Sequence, residues 1–310
     1  VQGCPTEAIS IGVVETAELA ALLAVDTDER VAPTAPRSAL TSPTTVYLTR
    51  KPVPSEVVAA DDHRVVPATN HPPLVAMLVL TQVSVGVVVL GVAMSSTTDW
   101  FGSTGRLGAG PALVAWLTTV VAIAASVMHL GRPTMAWRAL LGLGHSWLSR
   151  EILAFGVYAT LGALTAVAAI GSLPAQVSVG AGVATSVAGL LGVFCSAQLY
   201  AVTGRSFWRL DRTLIRFVVT MAVTGAAVLT AVASLVVSLH TADWQLEPMR
   251  RAAVVVVLIG TVAGLAAVEL HRRRHAGHGG ELGRSEALLA GPLRSSRTSG
   301  VALAITACIA

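Results

Sequence analysis

Between Pro72 and Leu270 the charged side chains stand almost wholly between long apolar blocks, and this spacing constrains the fold more than any other feature. A helix needs about 20 apolar residues to cross the hydrocarbon core of a bilayer. Within lipid it satisfies every backbone N–H and C=O internally, so runs of this kind become spanning helices. Six complete runs are read at 73–95, 111–130, 151–172, 177–200, 214–238 and 252–270. A seventh begins near 299 and covers 12 residues, from Ser299 to Ala310. Only 12% of the chain is charged and 54% is hydrophobic, whereas a soluble protein carries about 25% charge. The expected fold is an all-α polytopic bundle of six complete spans plus a truncated seventh.

The residues between the runs fit this reading. Trp100, Trp137, Trp147, Trp208 and Trp244 fall near run ends, where aromatic side chains anchor helices at the membrane interface. Gly182 with Ser186, and Ala188 with Gly192, place small residues one turn apart, which lets helices pack closely. Arginines give the orientation. The side holding the N-terminal region carries 13 of them in or near its loops, including Arg132, Arg138, Arg150, Arg205, Arg209 and Arg212, against Arg106, Arg250 and Arg251 opposite. Basic residues stay on the cytoplasmic side. The expected location is the inner (plasma) membrane, with the N-terminal region, the 131–150 hairpin and the 201–213 loop in the cytoplasm. Because the arginines occupy loops between spans, the basic balance does not point to nucleic acid.

The first ten residues, VQGCPTEAIS, are not membrane-like. Cys4-Pro5 matches the tail of the bacterial ferredoxin pattern C-x2-C-x2-C-x3-C-P, although an isolated Cys-Pro also fits an ordinary loop. The longer string GCPTEAI resembles the end of a cluster motif in the iron–sulfur subunits of molybdoenzyme respiratory complexes. On that resemblance Cys4 is a ligand of a [4Fe–4S] cluster whose other ligands are not present. Residues 1–54 then read as the C-terminal remnant of a ferredoxin-like iron–sulfur domain, 55–72 as a linker and 73–310 as a truncated membrane domain. The chain opens on Val1 and stops inside an apolar run, as expected for an internal piece of a longer protein. Cys195 and Cys308 lie in apolar runs and read as small buried hydrophobes.

The chemistry concentrates in Ser126 to Leu153, SVMHLGRPTMAWRALLGLGHSWLSREIL. His129 closes one run and Glu151 opens the next, so both lie at one membrane face. Oxidation of a quinol releases two protons, and a site for it needs proton acceptors beside the ring. Histidine titrates near pH 6.5, and a carboxyl group in low dielectric takes a proton more readily than one in water. Arg132, Arg138 and Arg150 stand close in sequence to hold a ring oxygen or to keep the carboxylate ionised. Structural roles fit either residue alone equally well, because the helix dipole favours histidine at a C-terminus and glutamate in a first turn.

HLGRP followed by RALLGLGHSWLSREI resembles the signature of the membrane anchor subunit of dimethyl sulfoxide reductase, a relative of the polysulfide-reductase-type anchors. The likeness extends to TQVSVG (Thr81 to Gly86) and QLYAVTGRSFWR (Gln198 to Arg209) and covers most of residues 71–310. It implies menaquinol binding and oxidation at His129 and Glu151, with Arg132, Arg138 and Arg150 in support. Its implied partners are an iron–sulfur subunit or domain and a separate molybdopterin catalytic subunit, serving anaerobic electron transport. Two departures stand out. The family's anchors usually have eight spans, and here the iron–sulfur string and the anchor share one chain.

Other classes fit less well. A haem anchor needs histidines facing one another inside spans, and only His129 lies within a run, at its end. HRRRHAGHGG (His271 to Gly280) lacks nearby cysteines and reads as a solvated loop rather than a metal site. A transporter needs ionisable groups at mid-depth, and these runs have almost none. Besides a redox anchor, a non-redox scaffold and an anchor with another terminal acceptor remain open.

Overall fold

The computed structural model describes residues 12–15, 17–19, 21, 54, 67, 71–95, 107–128, 130–171, 173–203, 208–240, 254–255, 257–262, 264, 266, 281–295 and 298. Two compact units are present. One comprises Val1–Val65 with Thr203–Arg205, the other Val66–Val202 with Ser206–Ala310. In the first, the described part of the Ala/Leu segment is helical around Ala17–Leu19, with Leu19 N–H donating to the Glu15 carbonyl at 2.9 Å.

The second unit is a helical bundle, and among the described residues it contains no strand. Its elements are α1 (Pro72–Ser95), α2 (Ala109–Met128), a 3-10 segment (Pro133–Gly142), α3 (Trp147–Ile170), α4 (Ala175–Ala201), α5 (Leu210–His240) and α6 (Glu281–Ala290). The first five α-helices are long and apolar enough to cross a membrane, and they overlay the first five expected runs. Within 252–270 the described residues are helical, and Gly260 faces Val223 of α5. The seventh run and the iron–sulfur string lie outside the described residues.

Helix α1 is the centre of the bundle, packing on α2, α4 and α5. Its middle carries Val85, Val87 and Val88 in the apolar core. At one point two backbones touch: a Cβ on Gly86 would run into the Met221 carbonyl, and a Cβ on Gly225 would run into the backbone of Gly86. Without a hydrophobic drive between helices in lipid, contact of this kind supplies the dispersion energy that holds spans together.

Buried hydroxyls tie the helices across their interfaces. The Ser84 hydroxyl lies 2.7 Å from the Ala115 carbonyl, from Thr119 Oγ1 and from Tyr158 Oη, joining α1, α2 and α3. Thr165 and Thr185 join α3 to α4 at 2.8 Å. No buried side-chain oxygen or nitrogen among the described residues lacks a partner, as burial of polar groups demands.

Helix α3 starts at Trp147, four residues before the expected run, because Ser146 caps it: its Oγ accepts the Ser149 backbone N–H at 3.3 Å. Sequence reading treats Arg150 as the loop's end, but a polar cap and a basic residue both belong naturally to a span's interfacial turn. The shift places Glu151 beyond the first turn.

Candidate functional site at the hairpin end of α3 and α4

The hairpin between α2 and α3 is a built structure. Pro133 sits in the first turn of the 3-10 segment, where its missing N–H is not needed. At the far end the Gly142 carbonyl accepts from His145 N at 3.1 Å and Ser146 N at 2.8 Å. A Cβ on Gly142 would lie 2.7 Å from Ser149 Oγ, so a side chain there would have to turn that hydroxyl aside. Arg150 then locks the turn: Nε donates to the Leu143 carbonyl at 3.0 Å and Nη2 to Gly144 at 2.9 Å. Its guanidinium also lies 4.4 Å above the Trp147 ring, a favourable placement of a cation on an aromatic face.

Glu151 follows directly and is 2% exposed. It lies one turn inside Trp147, ~6 Å along the helix axis from the interfacial tryptophan. Helices α3 and α4 are antiparallel, so the start of α3 meets the end of α4. There the Ser196 hydroxyl donates to Glu151 Oε1, and Phe194 meets Trp147 edge to face at 6.1 Å. One turn deeper, Gly192 gives up its side-chain volume to the Phe155 ring, and Gly189 gives it up to Tyr158 and Val85. Beyond Ser196, Tyr200 packs edge to face on Trp208 at 5.0 Å and on Phe217 at 5.9 Å. Trp147, Arg150 and Glu151 of one motif stretch and Tyr200 and Trp208 of the other thus lie at the same end of the α3–α4 pair.

Of the residues expected at the site, Glu151 is buried and Arg150 half-buried at the adjoining position, turned to the hairpin carbonyls. Arg132 and Arg138 are exposed on the hairpin. His129 and Cys4 lie outside the described residues. No cation forms an ion pair with Glu151 among the described residues. The ion pair found there, Arg209 with Asp211 at 3.3 Å, is exposed. A first-turn dipole role for Glu151 does not survive the geometry, because that effect fades beyond the first turn. Ser196 went unread in the sequence, although it continues the four-residue rhythm of Ala188 and Gly192. Among the described residues no group of three or more histidine, cysteine or carboxylate side chains is arranged to hold a metal.

Comparison with known proteins bears on the same region. The family model described as DMSO reductase anchor subunit (DmsC) matches residues 68–275. An anaerobic dimethyl sulfoxide reductase subunit of Haemophilus influenzae is 30% identical over 149 residues, 47% of this chain and 52% of that protein. The YnfH subunit of an Escherichia coli anaerobic dimethyl sulfoxide reductase is 30% identical over 166 residues, 52% of this chain and 56% of that protein. A sulfite dehydrogenase subunit of Allochromatium vinosum is 30% identical over 179 residues, 53% of this chain and 51% of that protein. The chain spans about half the length of these curated relatives. No solved structure matches.

Proposed function

The chain belongs to the family of dimethyl sulfoxide reductase anchor subunits, and from that premise we propose that it oxidises menaquinol where the hairpin meets the end of α4. As a multi-pass membrane protein of this family it anchors a redox complex. The finer reading rests on one observation: a carboxyl group 2% exposed inside a membrane span, with no cation paired to it among the described residues. Ionisable groups in spans are costly to bury and mark proton or substrate paths.

Menaquinol gives up two electrons and two protons on becoming menaquinone. Glu151 takes one proton as a ring O–H breaks, and His129 takes the other. Arg150 holds the hairpin closed over the site, while Arg132 and Arg138 keep its outer edge cationic. The two electrons leave for an iron–sulfur partner and then for a separate molybdopterin subunit that reduces a small oxidised substrate such as dimethyl sulfoxide. Cys4 is a single thiolate where a [4Fe–4S] cluster takes four. The residues present do not make up a ligand set, and no step is assigned to a cluster within this chain. Residues 1–54 are read as the end of an iron–sulfur domain, in the cytoplasm at the plasma membrane.

The likeness to a sulfite dehydrogenase subunit supports a second reading, in which electrons enter from the partner and the quinone is reduced. Glu151 and His129 would then deliver protons instead of taking them, since one site serves both directions. Membranes holding the full complex separate the two. Menaquinol oxidation driven by dimethyl sulfoxide is expected under the first, and quinone reduction driven by sulfite under the second. A third expected result concerns His129→Arg. It should cut menaquinol-driven reduction by about a hundredfold, the scale of a lost general base, while reduction driven by an artificial dye persists. Normal quinol oxidation by that variant would leave the scaffold reading standing.

A further inference from the structure

We infer that Ser196 is a positioning residue for Glu151 and that the last turns of α4 form the second wall of the quinol site. The inference rests on Glu151 being the proton acceptor. A serine or threonine within a helix commonly returns its proton to the carbonyl one turn back, as Thr185 does to Ala181 at 2.7 Å and Ser186 to Gly182 at 2.9 Å on the same helix. Ser196 has one proton, and it goes across the interface to Glu151 Oε1. Ser196 is itself 2% exposed, so little water competes for that bond.

The neighbouring contacts keep donor and acceptor opposite each other. Beside the pair, Trp147 at the start of α3 is seated against Phe194, which stands between Ser196 and Gly192 on α4. Inward of the pair, the Phe155 ring fills the space a side chain on Gly192 would take, and Tyr158 does the same at Gly189. These contacts set the register of the two spans, and within it the Ser196 hydroxyl holds Oε1 of the carboxyl group. With Oε1 held, Oε2 is the oxygen left to exchange a proton with a quinol hydroxyl. In that step the quinol O–H breaks and Oε2–H forms. The electrons of the broken bond stay on the ring before passing to the redox partner. Positioning of this kind acts on the proton-transfer step, since small misplacements of a catalytic group are expensive.

The test uses the full complex in membranes with a reduced short-tailed menaquinol analogue, and dye-driven reduction reports assembly. Ser196→Ala should lower kcat for quinol oxidation about tenfold with KM little changed, the rate equivalent of one hydrogen bond to a charged group. Ser196→Thr, which keeps the hydroxyl, should recover most of that loss. In a Glu151→Gln background Ser196→Ala should add nothing, because its effect runs through the carboxyl group. In redox-induced infrared difference spectra, the C=O band abolished by Glu151→Gln should move to higher wavenumber in Ser196→Ala.

A full kcat with an unmoved band would overturn the assignment, as would a tenfold loss that persists in the Glu151→Gln background. If Ser196→Ala does not assemble, the unsubstituted complex decides: a Glu151 band at the hydrogen-bonded position supports the assignment, and one at the free-carboxyl position overturns it. Failure of the underlying reading looks different. Glu151→Gln alone, with Ser196 intact, would then oxidise quinol at the normal rate.

Discussion

Glu151→Gln should reduce menaquinol oxidation by at least about a hundredfold, the usual scale of a removed proton acceptor, while dye-driven reduction by the assembled complex continues. The amide is isosteric, and its oxygen still accepts from the Ser196 hydroxyl. Packing around Phe155 and Gly192 is therefore undisturbed, so the change isolates proton acceptance from fold. A buried carboxyl group kept only for stability predicts the opposite, since exchanging it for a neutral group of the same shape is often harmless or favourable. The ratio of quinol-driven to dye-driven rates separates these cases. A purely structural Glu151 leaves it unchanged, and an acceptor makes it collapse. Arg150 offers a contrast, because its guanidinium is engaged with the Leu143 and Gly144 carbonyls and its loss acts on the hairpin first.

The second large effect falls on the fold. Gly86→Leu should remove the complex from membranes almost entirely. The new Cβ would meet the Met221 carbonyl, and Gly225 presses back on the Gly86 backbone from the same helix. Neither obstacle is a flexible side chain that can turn aside. Overpacking a tight contact costs about 1–3 kcal/mol, and more where backbones must part. Gly180→Leu is the matched control, because nothing lies within 4 Å of its Cβ position. Size-exclusion profiles of detergent-extracted complex, with dye-driven activity, read both variants. Normal assembly of Gly86→Leu would show that α1 and α5 are not in contact as described.

Much of this arrangement was legible in the residues. A run of apolar residues long enough to span is a strong signal, since lipid leaves helices as the available structure for it. Five described helices accordingly fall on the expected runs. The start of α3 lies outside its expected run because charge marks the limit of an apolar run, whereas Ser146 and Arg150 belong to the interfacial turn of the helix. Glu151 and the hairpin were legible from their motif. Ser196 was not, for a physical reason. A hydroxyl in an apolar helix can satisfy itself on its own backbone, as Thr118 and Thr160 do, or reach a neighbouring helix, as Ser84 does. Sequence spacing does not separate these outcomes. Which outcome holds depends on the register of the neighbour, set here by ring-to-glycine steps such as Phe155 on Gly192.

The most direct measurement is the location of the bound ring. A photoreactive menaquinone analogue, activated in the intact complex and mapped by peptide mass spectrometry, should label peptides from 126–153 and 192–200. An excess of menaquinol should suppress that labelling. Competed labelling confined to other spans, with both of these segments clean, would contradict a quinol site at the junction of the hairpin and α4.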